Sequence, residues 1–129
     1  MKKIILDTNF LLIPGIFCVD IFSEIKRVCD FKYELCVIDR TINELEHIVI
    51  SSKGKYKKAA SLSLELIKKN RVKIIKTEKN MSVDDSIVLL SNKNCIVATQ
   101  DKDLKRRLKK VRIPIITMRQ KRYVILERP

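Results

Sequence analysis

Apolar positions along this chain follow two different spacings. Short runs rich in β-branched residues, typical of buried strands, alternate with segments in which apolar residues recur every three or four positions, as on one face of a helix. The predicted strands comprise residues 3–6, 35–38, 72–75, 96–98 and 113–117, with residues 123–126 as a sixth strand at the edge. The predicted helices comprise residues 16–29, 41–50, 55–69, 84–91 and 103–111.

This order of elements predicts the fold class. Strands that alternate with helices form a mostly parallel sheet covered on both faces, so we expect an α/β fold with three layers, an α/β/α sandwich. A chain of 129 residues is long enough for one packed domain, which we expect to span residues 1–129. With only two glycines the sequence has no glycine-rich phosphate loop, which argues against P-loop and dinucleotide-binding proteins.

The charge balance indicates a polyanionic partner. The chain has 28 Lys and Arg against 15 Asp and Glu, a net charge of +13, which favours binding to nucleic acid or to an anionic membrane surface. A generally lysine-rich surface is the alternative explanation. No apolar run approaches the length of a membrane span, so we expect no membrane partner.

The four cysteines do not indicate a metal site. Cys18, Cys29, Cys36 and Cys95 form no C-x-x-C pair, and His47 is the only histidine, so zinc binding is not expected. We predict free thiols in a reducing compartment, and therefore a cytoplasmic protein.

Acidic residues follow four of the predicted strands. They are Asp7, Glu44, Asp84, Asp85, Asp101 and Asp103. The carboxyl ends of parallel strands meet at one edge of an open α/β sheet, where ligands bind, so these acids are expected to share a crevice. Carboxylates gathered there repel each other unless they are protonated or bind a cation, and hard oxygen ligands suit Mg²⁺ or Mn²⁺. Such an ion can promote the attack of water on a phosphodiester.

Most of these acids also have a structural interpretation. The spacings of Thr41 with Glu44 and of Ser82 with Asp85 match the capping box, in which two side chains bond the free N–H groups at a helix start. The acids before the last predicted helix could cap it as well. Asp7 is the exception because it follows a strand and precedes no predicted helix.

Four motifs resemble those of the PIN-domain nucleases. They are LDTN (residues 6–9), IDRTINELE (38–46), VDDSIV (83–88) and ATQDKDL (98–104), and they occur in the order that the family shows. Residues 84–129 resemble more specifically the PIN nucleases of the small-subunit processome, which act in ribosomal RNA maturation. Because the chain begins on its first strand, without the N-terminal extension of eukaryotic members, we expect a compact, archaeal-type homologue.

The resemblance implies a PIN-like fold and a metal-dependent endoribonuclease of ribosomal RNA processing, with Mg²⁺ or Mn²⁺ as cofactor. It assigns catalysis and metal binding to Asp7, Glu44, Asp85 and Asp101, with Asp84 as the alternative to Asp85. It places three further polar residues beside these acids, where they would position acids or water or be structural only: Asn9, Thr99 and Asp103.

A basic segment near the C-terminus is predicted to contact RNA. Ten of the 21 residues from 102 to 122 are Lys or Arg and Asp103 is the only acid among them, so we expect these cations to be unpaired and free to bind phosphates. The predicted RNA-binding residues are Lys102, Lys105, Arg106, Arg107, Lys109, Lys110, Arg119, Lys121 and Arg122. A second basic patch spans residues 53–58. Tyr56 and Tyr123 are expected to be packing residues, although either could stack on an unpaired base.

Two other functions fit the same sequence. One is a toxin ribonuclease of a toxin–antitoxin pair, with an antitoxin as partner, and the other is a non-catalytic PIN-fold scaffold that binds RNA. The intact set of acids argues against the scaffold, because a pure binder would gain from losing charges that repel phosphate. A homodimer is compatible with each function.

Overall fold

The computed structural model describes residues 1–129 and contains one six-stranded sheet in the order β3-β2-β1-β4-β5-β6. The strands are β1 (Lys2–Leu6), β2 (Tyr33–Ile38), β3 (Lys73–Ile75), β4 (Cys95–Ala98), β5 (Ile115–Arg119) and β6 (Tyr123–Glu127). The helices are α1 (Thr8–Leu11), α2 (Ile13–Phe17), α3 (Ile21–Val28), α4 (Asp39–Ser51), α5 (Gly54–Lys69), α6 (Val83–Leu90) and α7 (Lys102–Lys110). Strands β1 to β5 run parallel and β6 is antiparallel to β5, so the predicted α/β class is confirmed.

Hydrophobic clusters lie on both faces of the sheet. Successive residues of a strand point to opposite faces, and accordingly Ile4 and Leu6 belong to a cluster of 21 buried residues whereas Ile5 belongs to a second cluster of 10. The larger cluster includes residues of α1 to α5, and the smaller one residues of α6 and α7. Helices therefore cover the sheet on both sides, as a three-layer sandwich requires.

The predicted helix at residues 16–29 is wrong. The chain instead forms α1 and α2 directly after β1, and α2 ends at Cys18, whose φ of 57° lies in the left-handed region. A new helix, α3, then begins with Asp20 as its N-cap, since the Asp20 carboxylate accepts the Ser23 N–H at 3.2 Å. Residues 10–13 are almost completely buried, which removes the polar positions from which helical spacing is recognised.

Helix α4 begins at Asp39, two residues before the predicted start, and the expected capping box does not form. Thr41 lies buried within the helix, and its hydroxyl has no hydrogen-bond partner. Asp39 instead accepts hydrogen bonds from the Arg40 N–H and from both the N–H and the hydroxyl of Thr77. Glu44 is therefore not needed to cap its helix.

No single helix has the length and apolar character to cross a membrane, and only the bent pair of segments Thr8–Phe17 and Ile21–Val28, taken together, meets that criterion by length and composition.

Helices α2 and α5 approach so closely at Gly15 that a side chain does not fit. A methyl group there would lie 2.5 Å from the Cβ of Ala59 and still closer to its Cα. We expect Gly15→Ala to lower the free energy of unfolding by about 2–3 kcal/mol, because the backbone of two packed helices must move apart. Urea denaturation of this variant beside Lys57→Ala, a change at an exposed position of α5, measures the effect, and equal midpoints would contradict it.

Candidate metal and catalytic site

Asp7 occupies the junction between the sheet and the first helix. Leu6 pairs with Ala98, and the Asp7 N–H donates to the Ala98 carbonyl at 2.9 Å, so the ends of β1 and β4 lie side by side. The Asp7 carboxylate is only 5% exposed, and it accepts the Thr8 N–H at 2.9 Å and the Thr99 hydroxyl at 2.7 Å. The prediction that Asp7 precedes no helix is wrong, because it is the N-cap of α1.

The surroundings of Asp7 disfavour its negative charge. Burial raises the pKa of Asp7 to about 6, against the stabilising hydrogen bonds from Thr99 and Thr8, and the nearby charges of Asp84 and Glu44 raise it further. A carboxylate held in this way gains strongly from a cation, because a cation offsets both the lost hydration and the repulsion.

Glu44 reaches the same edge of the sheet from α4. The Thr8 hydroxyl donates to Glu44 Oε1 at 2.5 Å, so the residue after Asp7 orients the second acid. Glu44 and Thr8 line a cavity of about 400 Å³ together with Arg40 and His47. His47 thus lies beside the acids, without a hydrogen bond or ion pair to any of them.

Thr99 links Asp7 to Asp101. While its hydroxyl donates to Asp7, the same oxygen accepts the Asp101 N–H at 3.1 Å. One oxygen of Asp101 caps α7 by accepting the Leu104 N–H at 2.9 Å, as the capping interpretation predicted, and the other makes no hydrogen bond within the protein. Capping and ligand binding are therefore compatible, because they use different oxygens of one carboxylate.

Asn9 and Gln100 form further hydrogen bonds next to Thr99, where β4 ends. The Asn9 Oδ1 accepts the Gln100 N–H at 3.0 Å, and the Gln100 side-chain oxygen accepts the Thr117 hydroxyl at 2.8 Å and the Met118 N–H at 2.6 Å. Gln100 thereby ties the end of β4 to β5. Sequence analysis missed this residue, since a glutamine between a strand and a helix carries no distinctive signal.

The structure separates Asp84 from Asp85 at the start of α6. Asp85 is 49% exposed and forms an ion pair with Arg107 at 2.7 Å, which lowers its pKa. Asp84 has no ion-pair partner, and burial and the charge of Asp101 raise its pKa; the charge of Arg107 lowers it in part, and Glu44 raises it further. Of the two adjacent acids, Asp84, the alternative to Asp85, is therefore the one whose pKa is raised by Asp101 and Glu44 and that forms no ion pair.

The donor set at this edge fits a hard divalent cation. Asp7, Glu44, Asp84 and Asp101 offer only carboxylate oxygens, and no cation of the protein neutralises the central acid, Asp7. No group of three or more acidic, histidine or cysteine side chains is close enough together in this structure to hold a metal ion. In phosphoryl-transfer sites Mg²⁺ commonly uses only one or two carboxylates, with waters and substrate phosphates completing the octahedron. Asp103 lies outside this set, exposed and paired with Arg106.

The basic segment of residues 102–122 is partly neutralised, contrary to expectation. Four of its ten cations form ion pairs: Arg106 with Asp103, Arg107 with Asp85, and Lys109 and Arg119 with Glu127. The partners Asp85 and Glu127 come from α6 and β6, which the sequence places outside the segment. The cations without an acidic partner are Lys102, Lys105, Lys110, Arg112, Lys121 and Arg122.

Comparison with known proteins connects this architecture to RNA enzymes. A family model described as a PIN like domain matches residues 4–121, which include all the acids of the site. The chain is 37% identical over 127 residues to ribonuclease VapC4 of Methanocaldococcus jannaschii, with 95% of each chain covered. It is 32% identical over 123 residues to the rRNA-processing protein fcf1 of Schizosaccharomyces pombe, covering 89% of this chain and 58% of that protein. The solved structure of the PIN domain endonuclease Utp24 has a TM-score of 0.79 at 29% identity and covers 98% of this chain and 92% of that chain.

Proposed function

This chain belongs to the PIN-like domain family, and from that premise we propose that it is a metal-dependent endoribonuclease. The observation that carries the proposal is the buried Asp7, whose pKa is raised to about 6 and which is electrostatically coupled to acids from two other elements. Capping of α1 uses the Asp7 carboxylate but does not account for the acids gathered around it. A site that binds a divalent cation and a phosphodiester accounts for these acids.

Four acids are proposed to form the site and to hold the ion either directly or through bound water: Asp7, Glu44, Asp84 and Asp101. The structure favours Asp84 over Asp85 for this role, because Asp85 already has a cationic partner in Arg107. When bound, a divalent cation such as Mg²⁺ or Mn²⁺ lowers the pKa of water at the site and offsets charge on the phosphate. Thr8 and Thr99 orient Glu44 and Asp7 by hydrogen bonds, and Asn9 holds the backbone before Asp101.

The substrate is proposed to be RNA, in particular a precursor of ribosomal RNA. The names of the archaeal and fission-yeast relatives, a ribonuclease and an rRNA-processing protein, support RNA as the polymer. Unpaired cations would hold its backbone, and Lys102, Lys110 and Arg122 have no acidic partner. The four free cysteines support action in a reducing compartment, which we propose to be the cytoplasm. The proposed enzyme is one domain spanning residues 1–129, as a monomer or a homodimer.

A toxin ribonuclease is the second candidate function. The observation in its favour is the 37% identity to an archaeal protein named ribonuclease VapC4. Growth arrest on expression, relieved by the product of a neighbouring reading frame, would support this function and would add an antitoxin to the partners.

Cleavage of a circular single-stranded RNA and of a ribosomal-precursor transcript tests the proposal, because a circle is cut only by an endonuclease. We expect cutting in Mg²⁺ or Mn²⁺, none in EDTA, and recovery when the metal is restored. Cutting that persists in EDTA would exclude metal dependence. Binding of both RNAs without cleavage under any condition would favour the scaffold.

A further inference from the structure

A second cavity adjoins the acids on the side of Asn9 and Gln100. It measures about 570 Å³, within the range of roughly 300–1,000 Å³ found for small-ligand pockets, and its walls are mainly apolar. Two aromatic side chains line it and remain unusually open to solvent, Phe17 at 36% and Tyr56 at 58% exposure. Tyr56 is therefore not the packing residue that the sequence predicted.

The charges around this cavity favour an anionic occupant. Tyr56 lies in the first turn of α5, between Lys55 and Lys57, and that helix start has no acidic residue and no side-chain cap. Lysines at a helix N-terminus oppose the helix dipole, so a ligand with negative charge would relieve a local electrostatic cost. On the opposite wall the Lys121 ammonium lies 5.7 Å from the centre of the Phe17 ring.

The turn between β5 and β6 places two polar side chains at the cavity in an unfavourable backbone conformation. Gln120 and Lys121 have φ values of 52° and 55°, in the left-handed region where hairpins usually carry Asn and Gly. Both residues line the cavity. Residues held in sparsely populated backbone conformations are found preferentially where a ligand is bound, so this turn supports a binding role.

We propose that this cavity binds one unpaired nucleobase of the RNA, stacked on Tyr56, beside the nucleotide whose phosphate meets the acids. This inference rests on the proposed function and names a position at which the enzyme distinguishes single-stranded from paired RNA. The aromatic walls suit the faces of a base, and the lysines suit the phosphates on either side of it. The cavity is next to the acids along the chain, because its lining residues Asn9 and Gln100 lie two positions after Asp7 and one position before Asp101. An apolar protein helix would use the walls but not the lysines.

Binding without cleavage tests the inference. Fluorescence anisotropy in EDTA compares a labelled ten-nucleotide oligouridylate with an abasic ribose-phosphate chain of the same length and charge. We expect the unmodified protein to bind the abasic chain about tenfold more weakly than the oligouridylate, because the abasic chain lacks the one base that stacks in the cavity. Tyr56→Ala should remove most of this difference, while Tyr56→Phe should keep it. Tyr123→Ala is the matched control, an aromatic of 37% exposure that lies outside this cavity.

Several outcomes would overturn the inference. Equal binding of the two chains by the unmodified protein would show that no base is bound, and an unchanged difference in Tyr56→Ala would move the base elsewhere. A dimer that Tyr56→Ala dissociates, with no preference for bases, would assign the cavity to a second copy of the chain. The binding assay does not depend on cleavage. A protein that prefers bases in this assay but cuts no RNA in the cleavage assay would contradict the nuclease proposal and leave this inference standing.

Discussion

Asp7→Asn is expected to abolish RNA cleavage while making the metal-free protein more stable at neutral pH. The amide keeps the shape of the side chain and can still accept the Thr8 N–H, so folding is preserved. The substitution removes the central negative charge of the proposed metal site. The loss of several kcal/mol of transition-state stabilisation corresponds to a decrease in the RNA cleavage rate of about 10³-fold or more.

The gain in stability follows from the raised pKa of Asp7. Between its ordinary pKa of 3.8 and its folded value of about 6, the folded protein binds more protons at this residue than the unfolded chain does. The free energy of unfolding therefore falls as pH rises through this window, by about 3 kcal/mol for a shift of about two pKa units. Asp7→Asn should lack this decrease.

Urea unfolding in EDTA from pH 3.5 to 7.5 measures both proteins. We expect the free energy of unfolding of the variant to rise relative to that of the unmodified protein as pH rises. Comparing the two proteins cancels the contributions of the other acids, which both share. Millimolar Mg²⁺ should then raise the melting temperature of the unmodified protein only. Parallel pH profiles would show that the surroundings of Asp7 do not raise its pKa. Equal stabilisation of both proteins by Mg²⁺ would show that Asp7 is not part of a metal site.

Asp84→Asn and Asp85→Asn are expected to have very different effects on cleavage, although the two residues are adjacent. Asp84→Asn should lower the rate at least about 100-fold, because Asp84 is electrostatically coupled to Asp101 and Glu44. Asp85→Asn should leave the rate within about threefold, because this acid is exposed and engaged by Arg107.

Cleavage rates over a series of Mg²⁺ concentrations separate the two acids further. For Asp84→Asn we expect a higher Mg²⁺ concentration at half-maximal rate, and for Asp85→Asn an unchanged one. Loss of the Arg107 ion pair should alter stability little, since the pair is open to solvent. A severe defect in Asp85→Asn with a mild one in Asp84→Asn would support the original assignment of Asp85 instead.

The regular part of the fold was predictable because its signal is local. Five parallel strands and the helices α5, α6 and α7 were placed within about two residues, since each has a repeating apolar face or a short run of apolar residues in the sequence. The prediction for the segment after β1 failed because α1 and α2, of four and five residues, are too short to show a helical spacing. Asp20 and Ser23, which start α3, were a recognisable capping signal within the helix predicted there.

The prediction that the cations of the basic segment are unpaired failed for a different reason. Counting acids within residues 102–122 cannot detect Asp85 and Glu127, which are supplied by elements that pack beside α7. Ion pairs between elements depend on how the chain folds back on itself. The number of free cations was therefore overestimated, although the net charge of +13 was not.

By itself the sequence determined that acids follow successive strands of a mostly parallel sheet, because a strand's carboxyl end is recognisable from residue order alone. Only the tertiary structure distinguished two adjacent acids, because neighbours on a helix point about 100° apart and only Asp85 forms an ion pair with Arg107. The structure likewise brought Phe17, Tyr56 and Lys121, from three distant segments, to one cavity. Such juxtapositions arise from long-range packing, which no local pattern of residues encodes.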